Sequence, residues 1–160
     1  MVERRYCHFY SVVKKQYKNV MKILAVDYGD TRTGIAVCDR SEFLASPVGT
    51  IKEYNAEKLA VKVAEIAKEK GAEEIIVGLP INMNGTYGPR AEKCKAFGDL
   101  LGTKTDCPVI MWDERSTTVS AHNILNETNV RGKARKAVVD TVAATIILES
   151  YLEYRKKNKK

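Results

Sequence analysis

Three carboxylates stand at positions where an acid needs a reason. Asp27 ends the apolar run Ile23-Leu24-Ala25-Val26, and Glu114 follows the run Val109-Ile110-Met111-Trp112 after Asp113. Asp140 interrupts the apolar stripe of a helical segment. Ala137 precedes it, and Thr141, Ala144, Ile147, Leu148 and Tyr151 follow at helical spacing. A buried unpaired carboxylate is expensive, and a divalent cation shared among the three would offset that cost. Hydrolysing a phosphodiester at neutral pH requires an activated water and a stabilised leaving oxygen, and two metal ions about 3.5–4 Å apart supply both. In that reading Asp27 bridges the ions, Glu114 and Asp140 each hold one side, and the metal is Mg2+ or Mn2+, hard cations that prefer oxygen. Each acid also has a plainer reading. A strand-end acid is commonly a turn former or helix cap, which suits Asp113, and Asp140 could instead form a buried ion pair with an arginine.

Basic residues near these acids are candidates for holding a phosphate backbone. Arg90 lies in the first turn of a helix that opens after Gly88-Pro89. A cation there opposes the helix dipole, whereas glycine, a helix N-terminus and an arginine together suit an anion. Arg32 and Arg115 each adjoin an acidic candidate, and either clamp phosphate in a fork or pair with the carboxylates. Lys136 closes the basic stretch Arg131-Gly132-Lys133-Ala134-Arg135-Lys136, which is either a backbone contact or a solvated charge run. Asp27-x-Gly29-x-Thr31 followed by Gly34 has a second meaning, because glycines between strands let backbone approach phosphate. The pattern resembles the first phosphate loop of actin-like sugar kinases and ATPases. Those proteins resemble two such domains around a nucleotide, and 160 residues hold one.

The elements that must position these groups are readable from periodicity and punctuation. Lys22–Asp27, Thr33–Cys38 and Val48–Ile51 read as an antiparallel meander, with turns at Gly29–Arg32 and Asp39–Glu42. Asn55 is an N-cap, Leu59, Ala60, Val63, Ile66 and Ala67 form an apolar face, and Gly71 suits the C-terminal cap. Glu74–Gly78 is then a buried strand, Pro89–Leu101 a helix, Val109–Trp112 a strand, Ser116–Leu125 a helix and Arg135 to about Tyr154 a long terminal helix. The expected fold is α/β: a mixed five-stranded sheet, three strands antiparallel and two parallel, flanked by helices. Ligands of such sheets bind beyond the carboxyl ends of parallel strands. Asp27, Gly78-Leu79-Pro80 and Asp113-Glu114 all fall there.

Composition narrows the class. The chain is 44% hydrophobic and 29% charged, as expected of one globular domain, and no apolar run is as long as a membrane span. The four cysteines (Cys7, Cys38, Cys94, Cys107) form no C-x-x-C pair and there are only two histidines, which disfavours zinc and suits reduced intracellular thiols. The net charge of +7 sits at the ends. Residues 1–20 carry five Lys or Arg against one acid, and residues 155–160 carry five against none, so the stretch between is slightly acidic. The division expected is an extension over 1–20, a domain over 21–154 and a basic tail over 155–160. Such ends add salt-sensitive attraction to phosphates or are simply solvated.

Four ordered blocks, MKILAVDYGDTRTGIAV (21–37), GLPINMNGTYGPRA (78–91), DERSTTVSA (113–121) and KAVVDTVAATIIL (136–148), resemble the YqgF family. Its members are also called RuvX-type Holliday junction resolvases or pre-16S rRNA nucleases. The resemblance covers residues 21–153 and implies a ribonuclease H-like fold with an acidic triad falling on Asp27, Glu114 and Asp140. It further implies a cytoplasmic, metal-dependent nuclease, monomeric or homodimeric. Its partner would be nucleic acid: the 5′ end of precursor 16S rRNA, or branched DNA as in a Holliday junction. A non-catalytic nucleic-acid binding module is the competing class, and it leaves Asp140 without a reason.

Overall fold

The computed structural model describes residues 20–117 and 133–158, with the side chains of 116–117 and 133–138 outside that description. The described elements run β1 (Ile23–Asp27), β2 (Arg32–Cys38), β3 (Ala45–Lys52), α1 (Ala56–Lys70), β4 (Glu74–Leu79), α2 (Pro89–Gly102), β5 (Val109–Asp113), a short 3-10 turn (Glu114–Thr117) and α3 (Lys133–Asn158). The strands form one sheet in the order β3-β2-β1-β4-β5. β1, β2 and β3 pair antiparallel, while β4 and β5 continue parallel to β1, as the sequence leads one to expect.

Alternation along the central strands feeds two cores. Leu24, Val26, Ile75 and Val77 face α1 and α2, where Leu59, Val63, Phe97 and Leu101 close the layer. Ile23, Ala25, Ala36 and Ile76 face α3, where Ala144, Ile147, Leu148 and Tyr151 cover them. α1 keeps both caps read from the sequence: Asn55 accepts from the Lys58 N–H at 3.0 Å, and Gly71 is left-handed at φ 68°.

The largest differences from expectation are at β3 and at the end of α3. β3 starts at Ala45 and runs through Pro47, opposite an irregularity at Ile35/Ala36, because an edge strand tolerates a residue without an N–H. α3 continues to Asn158, so Arg155, Lys156 and Lys157 are helical. Arg155 forks onto the Glu42 carboxylate at 3.0 and 3.1 Å, which ties the helix end to the β2–β3 turn. Of the helix expected over Ser116–Leu125, only the turn Glu114–Thr117 lies within the described residues. The extension over residues 1–20 falls almost wholly outside them. Among the described residues no helix is long and apolar enough to cross a membrane.

Candidate active site

Asp27 leaves β1 in phase with Ile23 and Ala25, so its carboxylate points into the layer occupied by α3. Its antiparallel partner on β2 is Gly34. On the other side, the Val26–Val77 pairing brings Gly78 of β4 alongside. Both neighbours of Asp27 in that row therefore lack a side chain. A Cβ at Gly34 would lie 2.0 Å from the Asp140 carbonyl oxygen. A Cβ at Gly78 would lie 2.1 Å from Glu114 Oε1 and 2.7 Å from Ile147 Cδ1. The two glycines make the room in which the α3 backbone at Asp140 and the Glu114 carboxylate close on Asp27. Thr50, the β3 partner of Gly34, has its hydroxyl 3.0 Å from that of Thr141 and fixes α3 one residue from Asp140.

The electrostatics follow from this crowding. Burial, then the charges of Glu114 and Asp140, push Asp27 from the ordinary 3.8 up to about 7, with Arg90 pulling the other way. Burial also raises Glu114, against Arg90, and raises Asp140, against Arg32. Among the described residues the Asp27 carboxylate has no hydrogen bond or ion pair. Nor are any three His, Cys, Asp or Glu side chains among them drawn into a finished metal cage. The triad is convergent but open. Its donors are all hard carboxylate oxygens, and the repulsion loaded on Asp27 is what a divalent cation would relieve, so the residues fit Mg2+ or a similar ion.

The basic candidates divide. Arg90, at the start of α2, donates through Nη2 to the Tyr28 carbonyl, and its Nη1 lies 3.6 Å from Asp30 Oδ2. Its guanidinium sits 5.8 Å from the centroid of the Tyr28 ring, which is itself stacked on Phe97 at 4.4 Å. That bracing holds a cation on the lip of the site, where it bears on both Asp27 and Glu114. Gly88 caps α2 with no side-chain hydrogen bond, a helix N-terminus compatible with an anion. Arg32 bears on Asp140. Arg115 forks onto Asp113, with Nε–O distances of 2.9 and 3.1 Å and an Nη2–O distance of 2.6 Å, so it pairs with the neighbouring acid and Asp113 stays out of the triad. The side chain of Lys136 lies outside the described residues. In the sequence Gly34 is part of a possible phosphate loop and Gly78 ends a strand, and neither position by itself marks the room beside Asp27. Glycine inside an apolar strand was the available signal of a close approach.

The model of a family described as RuvX, Holliday junction resolvase, matches residues 21–154. A protein of Ruminiclostridium cellulolyticum named "Putative pre-16S rRNA nuclease" is 42% identical over 141 residues, covering 88% of this chain and 99% of the relative. A protein of the same name from Halothermothrix orenii is 44% identical over 137 residues, covering 86% and 98%. Among solved structures, the T. thermophilus RuvC in complex with Holliday junction substrate superposes with a TM-score of 0.52 at 11% identity, over 84% of this chain and 96% of that one. The fowlpox virus Holliday junction resolvase gives 0.50 at 16% identity, over 84% and 99%. At such identities the two structures speak for the fold, which is ribonuclease H-like.

Proposed function

The chain belongs to the RuvX family and is a nuclease that hydrolyses phosphodiesters, and on that premise we propose that it acts on the 5′ region of precursor 16S rRNA in the cytoplasm, with Asp27, Glu114 and Asp140 holding Mg2+ or Mn2+. The observation that carries this reading is the row Gly34-Asp27-Gly78. Two glycines flank one half-buried acid, and the Glu114 carboxylate and the α3 backbone at Asp140 close into the space they leave. When bound, the metal supplies a water acidic enough to attack at neutral pH and a positive charge for the leaving oxygen.

This chain's own side chains do the rest. Asp27 sits deepest and stays fixed by its strand, so it sets the position of the reacting phosphate. Glu114 approaches from the end of β5 and Asp140 from α3, which gives ligands on three separate elements. Arg90, already aimed by Tyr28 and Asp30, takes a non-bridging phosphate oxygen. Arg32 balances the charge of Asp140 when the site is empty of substrate.

A Holliday junction is the second reading, favoured by the description of the matching family. Parallel cleavage assays on precursor rRNA and on four-way DNA, each with Mn2+ and with a chelator, separate the two. Metal-dependent cutting of the rRNA, lost by roughly 10²–10³-fold in Asp140→Asn as expected on removing one charge-stabilising group, is the expected result. Undiminished cutting by that variant removes Asp140 from the chemistry, and preferential cutting of the junction reverses the choice of substrate.

A further inference from the structure

Between β4 and α2 the chain builds a small hairpin of its own. Ile81 bridges Tyr87, and the Asn82 N–H donates to the Thr86 carbonyl at 3.0 Å. The Gly85 N–H donates to the Asn82 carbonyl at 2.8 Å, with Gly85 at φ 83°. Side chains lock the same turn: Asn82 Nδ2 donates to Thr86 Oγ1 at 3.0 Å, and Asn84 Oδ1 accepts from the Thr86 N–H and hydroxyl at 3.1 and 2.6 Å. Arg115, held in its fork by Asp113, backs the turn, since a Cβ at Gly85 would lie 3.9 Å from Arg115 Nη1. This is a braced projection. At its tip Met83 is 86% exposed, and beside it half-exposed Tyr87 carries Lys95 Nζ 5.0 Å from its ring centroid.

The hairpin starts at the carboxyl end of β4, directly after the Gly78 that shelters Glu114. Arg90, Lys93 and Lys95 line the first turns of the helix that follows it. Resting on the nuclease reading above, we infer that the 81–87 hairpin is a base-contacting finger, with Met83 as the stacking surface for an unpaired nucleotide next to the scissile phosphate. The basic turns of α2 take the strand's phosphates. A thioether on an unbranched chain is polarizable and adapts to any base face. A base inside a duplex already has both faces stacked, so an unpaired nucleotide is the ligand that fits.

The test is a tip probe. Met83→Trp is titrated in EDTA with a short single-stranded RNA and with a blunt RNA duplex of the same sequence, and the wild type, whose single tryptophan is Trp112, serves as the blank. The single strand quenches the tip indole and the duplex does not. In parallel, Met83→Ala weakens single-strand binding about five- to tenfold, within the range for losing one base stack. Met83→Leu stays within about twofold of wild type. The dependence of log Kd on log salt is unchanged in all three variants, because no phosphate contact is lost. Circular dichroism and melting temperature match the wild type for these exposed substitutions. Equal quenching by both nucleic acids, or wild-type affinity in Met83→Ala, overturns the finger while leaving the nuclease reading intact. Failure of the wild type to bind either RNA overturns both.

Discussion

The half-buried acid of β1 costs the fold stability wherever no cation meets it, and that has a measurable sign. In the folded protein Asp27 holds its proton up to about 7, against 3.8 ordinarily. The folded chain therefore binds more protons than the unfolded chain between those values, and stability falls as pH rises through that window. Most of the cost is burial and repulsion from Glu114 and Asp140, both of which act only on the ionised form. Asp27→Asn removes the ionisable group and keeps its shape. In a chelator at pH 7.5 the variant is expected to be more stable than wild type by about 1–3 kcal/mol, a rise in melting temperature of roughly 3–10 °C. The gap should shrink towards pH 4, and thermal melts across pH 4–8 check it. Adding Mg2+ should raise the melting temperature of the wild type and leave that of the variant almost unmoved, because only a ligand that binds the folded state shifts the equilibrium. Melting curves that run parallel over the whole pH range would remove the repulsive centre.

At the scale of elements, α3 is the part whose position decides whether there is a site. It covers one face of the sheet and brings Asp140 against Gly34, and its far end is latched by groups distant in sequence. Arg155 grips Glu42, the only non-glycine among the described residues with a positive φ (57°), and the side chains are just 17% and 5% exposed. Nearby, the Tyr151 hydroxyl donates to Glu74 at 2.7 Å. Arg155→Ala leaves a buried carboxylate without its fork, and the expected loss is about 3 kcal/mol, read as a melting temperature lower by roughly 6–12 °C. Lys157→Ala, which breaks an exposed pair with Glu153, should change little. Comparable melting of the two variants would mean that the latch is not a latch. The strands and α1 were legible because alternation, Asn55 and Gly71 are local signals. The latch was not, since Arg155 and Glu42 are 113 residues apart and a run of basic residues at a helix end looks the same whether solvated or gripped. That Asp27, Glu114 and Asp140 stand out has the same reason as the strands, since an acid that breaks an apolar pattern is visible in one dimension, and the fold brings the charges of the other two to bear on Asp27. The glycine row was hidden, because strand register is a property of the assembled sheet.

For the whole molecule, the question is where the working unit starts. The first tertiary bond of the described chain is made by the Met21 N–H, which donates to Glu42 Oε1 at 2.7 Å, while the Cys38 thiol meets the Met21 carbonyl at 3.5 Å. The family match also begins at residue 21. A chain shortened to start at Met21 would carry its ammonium at the atom that now donates as an amide. The Glu42 bond would then persist and become charge-assisted. Stability should hold within about 3 °C of the full chain. What should change is reach. Residues 1–20 hold five Lys or Arg against one acid and so carry more than half of the net charge of +7, so the short form should bind nucleic acid more weakly at low ionic strength. That difference should close as salt is added, because phosphate attraction by exposed cations is lost with counterion competition. Cleavage rate at saturating substrate should be the same for both forms, since the triad, Arg90 and the finger all lie beyond residue 21. Melting temperature, a salt titration of affinity and a single-turnover rate on one substrate check the three parts separately. A short form that melts far lower would assign residues 1–20 to the fold, and a short form that cuts slowly while bound would assign them to the site.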